Sequence, residues 1–273
     1  MAGDSFCLRQ SCPCPRCSGR LGAGIETVMR KKKDKIKAAA SVASGALPAE
    51  ALEQSFPSIR LPIHPPYPPA EAKSVAEIPS GEGWLYEPKW DGFRCLAFRS
   101  GDQVLLQSKA GQPLGRYFPE LVAALRNVPH PRFVLDGEIV IFSGEQLSFD
   151  DLLMRIHPAE SRIRRLSSES PATLMCFDLL VGRDGKLLTE LPLSKRRAKL
   201  EDFFRDLQVK GLAAEGVLRL SPVSRDPRQA KNWMCELGAI GLDGIIASGS
   251  MSLIAAVNAQ PWSKSNAFAL LTA

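Results

Sequence analysis

At 273 residues, with 45% hydrophobic and 23% charged side chains, the chain has the make-up of an ordinary globular protein and ample material for a core. No apolar run approaches the roughly 20 residues that a bilayer crossing needs, and the first residues lack the unbroken apolar stretch of a secretory signal, so a cytoplasmic address without a membrane partner is expected. The net charge of +6 is uneven: residues 1–60 hold ten Lys/Arg against five Asp/Glu and the rest hold 25 against 24, so a nucleic-acid site in the globular part has to be a local patch.

Residues 1–59 read as a disordered basic extension. Cys7, Cys12, Cys14 and Cys17 crowd its start, but their spacing is irregular and no His stands nearby to complete a zinc pattern. The run Arg30-Lys31-Lys32-Lys33 leads into an Ala-rich stretch that reads as a solvated arm. Five prolines in residues 61–69 favour an extended connector, and the folded domain is placed from residue 60 to 248. Strands are expected around Leu96–Phe98, Val104–Leu106, Val134–Phe142, Leu174–Val181 and Val217–Leu220. Helices are expected over Pro119–Asn127, after Ser148 as N-cap, in a charged segment opened by Ser194, and from Asp226-Pro227. Several strands follow one another without an intervening helix, which predicts an α+β fold of antiparallel sheets flanked by helices. Cys95, Cys176 and Cys235 sit among apolar residues and are expected to pack as small hydrophobes. Arg162, Arg164 and Arg165 read either as a solvated surface or as a DNA-contacting patch.

Three Asp-Gly pairs, Asp91-Gly92, Asp136-Gly137 and Asp243-Gly244, adjoin these strands. Each can be a hairpin turn. Their neighbours carry a second reading. Strand alternation puts Glu87 and Lys89 on one face, and it puts Val134, Asp136, Glu138 and Val140 opposite Leu135, Ile139 and Ile141. Two carboxylates in so apolar a strand are costly to bury unpaired, and a polar cleft on that face removes the cost. A lysine facing carboxylates suits a site for a metal and a nucleotide.

In wording and order these residues resemble the ATP-dependent DNA ligases. Glu87-Pro88-Lys89-Trp90-Asp91-Gly92-Phe93-Arg94 is similar to their motif I, Lys-x-Asp-Gly-x-Arg. Leu135-Asp136-Gly137-Glu138 resembles motif III, Phe177-Asp178-Leu179-Leu180 motif IIIa, and Leu242-Asp243-Gly244-Ile245-Ile246-Ala247 motif IV. The wording is nearest the bacterial end-joining repair ligases. The resemblance implies a nucleotidyltransferase (adenylation) fold and a ligase that closes DNA nicks through a covalent lysyl-AMP on Lys89, with ATP and Mg²⁺ or another divalent cation. It implies that Glu87 reads the adenine edge, that Arg94 holds the ribose or the nicked strand, and that Glu138 contacts the ribose and helps place metal. It further implies that Phe177 stacks on the base, that Asp243 is directed at metal and that Lys109 meets DNA phosphate. Nicked or broken double-stranded DNA and repair proteins are the implied partners, in DNA repair and recombination.

Past Ala247 the motif reading stops. Ser248 stands where that family usually has a basic residue, and Lys264 is the only lysine of residues 249–273, so the Lys-x-Lys of motif V is not evident. The tail reads as atypical, and a missing oligonucleotide-binding barrel and a truncated chain are expected. The alternative function is an impaired remnant that only binds ATP or DNA.

Overall fold

A computed structural model describes residues 56–74, 77–209, 216–240, 242, 244–252 and 268–272. The chain divides into two compact units, residues 1–46 and 47–273, and every described residue belongs to the second. The four clustered cysteines, the basic run 30–33, Asp243, Lys264 and the side chain of Cys235 lie outside the described residues.

Ten strands and five α-helices are described. The strands are β1 (Lys73–Ser74), β2 (Trp84–Lys89), β3 (Phe93–Ser100), β4 (Gln103–Ser108), β5 (Arg132–Ser143), β6 (Gln146–Leu147), β7 (Ala172–Val181), β8 (Leu218–Leu220), β9 (Gly244–Gly249) and β10 (Phe268–Thr272). The helices are α1 (Pro119–Asn127), α2 (Phe149–Met154), α3 (Glu160–Glu169), α4 (Leu193–Val209) and α5 (Pro227–Ile240). The expected α+β architecture is present as two sheets. The smaller runs β1-β10-β9-β2 and the larger β4-β3-β5-β7-β8, with β6 beside β5. Pairing is antiparallel except between β1 and β10 and between β7 and β8.

The caps follow local chemistry. Ser148 accepts from Asp151 N and opens α2, and Asp226 Oδ1 accepts from Arg228 N ahead of Pro227. Ser194, expected to open the charged helix, instead lies inside α4. The first helical hydrogen bond already runs from Arg196 N to Pro192 O, so the helix begins one residue earlier. Helix α3 goes unforeseen because Ile163 is its one buried residue. Arg164 and Arg165 pair along it with Glu160 and Glu169, the pattern of a solvated helix face.

Alternation in β5 holds as expected. Leu135, Ile139 and Ile141 enter the main core, where Leu121 and Leu125 of α1, Leu152 of α2 and Leu200 and Phe203 of α4 cover the larger sheet. Cys95 and Cys176 are fully buried there. On the opposite face Val134, Leu96, Phe98, Leu180 and Val181 pack against Ile59, Leu61 and Ile63. The proline-rich segment is therefore docked on the sheet. Gln107 fastens it, its side-chain amide accepting from Tyr67 N at 2.8 Å and donating to Tyr67 O at 2.7 Å. That segment covers only part of this face, and the rest is left for a cleft.

The smaller sheet packs Tyr86, Ile245 and Ala247 with Ala230 of α5. Among the described residues strand β2 ends this sheet, with β9 as its one ladder partner. Its outer edge is bridged at Tyr86 to Ser224. Pro88, which has no N–H to donate, is tolerated on such an edge.

Two Asp-Gly pairs turn out not to be hairpin turns. Asp91-Gly92 crosses from β2 of one sheet to β3 of the other, and Asp136-Gly137 lies within β5. Close approach explains both glycines. A Cβ on Gly92 would fall 2.1 Å from Ile139 O, and one on Gly137 would fall 2.7 Å from Met175 O.

Candidate active site

A cavity of about 270 Å³ opens where the two sheets face one another. Its lining includes Glu87 and Lys89 from β2, Arg94 from β3, Glu138 from β5, Phe177 from β7 and Lys109 just after β4. Every site residue expected from the sequence is gathered here except Asp243, which lies outside the described residues. Pro69, Ala70 and Glu71 form a wall, and Ile246 and Ser248 of β9 also line it.

The arrangement follows from strand registry. Arg94 lies opposite Glu138, and Leu96 opposite Asp136, between β3 and β5. Between β5 and β7, Asp136 faces Asp178 while Gly137 faces Cys176, so Phe177 is an extra residue in the ladder. Such a bulge re-aims its side chain, and Phe177 is half-buried in the cavity lining. Arg94 stands over this ring, its Cζ 4.4 Å from the centroid. It also makes a two-pronged ion pair with Asp136, at 2.6 Å and 2.8 Å, and reaches Ala70 O.

The opposite side of the cleft is held from behind by α4. Arg197 Nη1 donates to Glu87 Oε1 at 2.8 Å, and the neighbouring Arg196 grips Asp178 at 2.8 Å and 2.9 Å. Trp90 donates from Nε1 to Ser221 Oγ at 3.0 Å. Lys109 meets Glu71 at 3.0 Å, with both side chains exposed, so that pair is easily exchanged for a ligand phosphate.

Burial pushes the Glu87 carboxyl up to about 8, reinforced by Asp178 and Asp136 and opposed by Arg197 and Arg94. Burial likewise pushes Glu138 up to about 8, reinforced by Asp136 and Asp91 and opposed by Arg94 and Lys89. Asp136 is raised by burial too, against the pull of Arg94. The cleft thus concentrates carboxyl groups that gain from added positive charge. Among the described residues no cluster of three or more His, Cys, Asp or Glu could by itself hold a metal ion. Magnesium is commonly held by one or two carboxylates together with substrate phosphates, and Glu138 fits that requirement.

Asp136, Asp178, Arg196, Arg197, Trp90 and Ser221 carry much of this geometry, and none of them has a site role in the sequence motifs. Asp136 and Asp178 were within reach of sequence reasoning, because each adjoins a recognised motif residue. The arginines offered no signal beyond a charged helix.

The two sheets and the cleft between them are the fold of a DNA ligase adenylation domain. Residues 69–262 match the family described as ATP dependent DNA ligase domain, and the chain belongs to that family. The match runs past Ala247, where the motif reading ended. The chain is 47% identical over 190 residues to DNA ligase C of Mycobacterium tuberculosis, covering 69% of this chain and 51% of that protein. It is 44% identical over 187 residues to DNA ligase C2 of Mycolicibacterium smegmatis, covering 68% and 50%. The chain spans about half the length of these curated relatives. Among solved structures, the ligase domain from M. tuberculosis LigD is similar at 25% identity with a TM-score of 0.50, over 73% of this chain and 57% of that one. A mycobacterial DNA ligase D complexed with ATP and MES shares the fold, with a TM-score of 0.51 at 24% identity over 74% and 58%. No helix among the described residues is long and apolar enough to cross a membrane.

Proposed function

We propose that this chain carries out ATP-dependent adenylyl transfer through Lys89, with nicked or broken duplex DNA as the acceptor, in DNA repair and recombination. The observation that carries the reading is convergence. Glu87, Lys89, Arg94, Lys109, Glu138 and Phe177 are spread over some ninety positions of sequence, yet line one cavity.

In this reading the neutral Lys89 amine attacks the α-phosphorus of ATP. The bond to pyrophosphate breaks, the amine gives up its proton, and a lysyl-AMP phosphoramide remains. A DNA 5′-phosphate oxygen then takes the AMP, the P–N bond breaks and Lys89 regains its proton. The neighbouring 3′-hydroxyl displaces AMP, loses its proton and closes the strand. Glu87 addresses the adenine edge. Phe177 offers the base a ring whose other side is taken by Arg94. Arg94 also faces the ribose or the nicked strand, and Lys109 a DNA phosphate. A divalent cation, Mg²⁺ by its preference for oxygen ligands, would be held by Glu138 and Asp243 and would neutralise phosphate oxygens. A second reading, nucleotide binding without transfer, is favoured by Ser248, which lines the cleft in a buried position and brings no charge to a phosphate.

Incubation with Mg²⁺ and α-labelled ATP tests the proposal. Label should stay on the denatured protein and be lost in Lys89→Ala. A folded wild-type chain that takes no label would reject transfer and leave the binding reading. Nicked duplex then separates self-adenylylation from sealing.

A further inference from the structure

Two consecutive arginines on α4 serve different sheets. Arg196, fully buried, binds Asp178 of β7 and the carbonyls of Leu191 and Ser252. Arg197, only 6% exposed, turns toward β2. It is linked to both sequence flanks of Lys89, to one directly and to the other through Ser221. On one side it pairs with Glu87, two residues before the lysine, at 2.8 Å. On the other it donates from Nη2 to the backbone carbonyl of Ser221, whose hydroxyl accepts from the indole of Trp90, one residue after the lysine. Ser221 is pinned in turn, its N–H donating to Cys176 O of β7 at 2.8 Å. The third prong, Nε, is occupied by Glu201 at 3.0 Å.

We infer that Arg197 is a positioning residue for adenylyl transfer, holding the strand that presents Lys89 by both of its flanks. The inference rests on the transfer reading above. Charge alone does not meet the need, because three acceptors in different directions are served by three nitrogens of one rigid plane. A lysine ammonium carries its donors on a single atom and can stay with Glu87 only by releasing Ser221. Glu87 on one flank and Ser221 behind the other would then lose the single rigid group that ties them together. Displacement of a nucleophile by about 1 Å can lower a rate by about 10²-fold.

The surroundings of Arg197 supply an unusual control. It also lines a second cavity of about 340 Å³, together with Leu85, Ser194, Glu201 and Arg225. Arg225 is exposed and Glu201 partly so, and this cavity reaches solvent. Truncation of Arg197 therefore leaves a guanidinium-shaped space that a small cation can enter.

The experiment follows lysyl-AMP formation in the full chain under single turnover, with Mg²⁺ and α-labelled ATP, for wild type, Arg197→Lys, Arg197→Ala and Arg205→Ala. Among the described residues Arg205 pairs with exposed Asp202, and it serves as the surface control. Arg197→Lys should keep the melting temperature close to wild type and lose roughly 10- to 100-fold in rate, while Arg205→Ala labels normally. Millimolar guanidinium chloride should restore part of the rate to Arg197→Ala, and methylammonium at the same ionic strength should not. Wild-type labelling together with an equal rate in Arg197→Lys overturns this inference alone. A folded Arg197→Ala that guanidinium leaves unrescued assigns its loss to packing and overturns it as well. If wild type itself takes no label, the transfer reading falls and this inference falls with it.

Discussion

Arg94 and Asp136 lock together across neighbouring strands, the guanidinium meeting both carboxylate oxygens while its plane covers Phe177. Asp136 is 2% exposed, so its partner is the main compensation for its burial. Asp136→Asn removes the charge and one good acceptor and should cost about 2 kcal/mol, the scale of a charge-assisted hydrogen bond. Urea unfolding monitored by tryptophan fluorescence measures this. An unchanged midpoint would show that the pair contributes nothing net.

Phe177 owes its place in the cleft to the bulge in β7, outside the regular ladder. Phe177→Leu should therefore cost under about 1 kcal/mol in stability, yet weaken ATP binding by about 1–2 kcal/mol through lost stacking. Urea unfolding checks the first half and titration of ATP against the folded variant the second. A variant that binds ATP as wild type does would remove Phe177 from the nucleotide site.

The raised Glu138 carboxyl gives stability a direction with pH. Its value rises from 4.5 to about 8 on folding, chiefly through burial, so across that window the folded chain keeps a proton that the unfolded chain releases. Stability of the nucleotide-free, metal-free protein should consequently fall as pH climbs through the window and level off above it. Glu138→Gln, which cannot ionise, should flatten the slope without abolishing it, because Glu87 is raised over the same range. Melting temperatures measured across these pH values decide it, and a wild-type profile that rises instead contradicts the burial of these carboxyls.

Gly92 is the tightest point of the crossover between sheets. The obstacle to a side chain there is the Ile139 carbonyl, a backbone atom held in β5. Gly92→Ala should lose about 1–3 kcal/mol, as overpacked sites do, and melt roughly 3–10 °C lower. Gly101→Ala at an open turn, where no atom lies within 4 Å of the added carbon, is the comparison for backbone strain alone, since its φ is +63°. Equal effects from both would assign the Gly92 requirement to conformation and not to contact.

Local rules carried the sequence reading a long way. The alternation in β5, the Ser148 and Asp226 caps and the placement of Glu87 beside Lys89 all depend on residues a few positions apart. The hairpin reading of Asp91-Gly92 and Asp136-Gly137 failed for the same reason. What demands glycine at those positions is a carbonyl on another strand, Ile139 O or Met175 O, which no local pattern encodes. Arg196 and Arg197 look like any two charges on a solvated helix, because buried and exposed arginines are written alike until their partners are known. By composition the strand β10 is part of an atypical tail, since its pairing with β9 belongs to the sheet and not to its own residues.

The order of synthesis gives β2 a second burden. Its ladder partner β9 follows more than 150 residues later, and Arg197 follows Glu87 by 110. At ordinary ribosomal speeds that strand waits roughly 10 s or more before its own sheet can close around it. During that interval an apolar strand with open edges invites pairing with other chains. Glu87, Pro88 and Lys89 put two charges and a missing N–H into its C-terminal half, the combination that natural proteins use to discourage such pairing. The short segment that carries the lysine proposed to receive AMP would then also protect the nascent chain from association before it has a cleft at all.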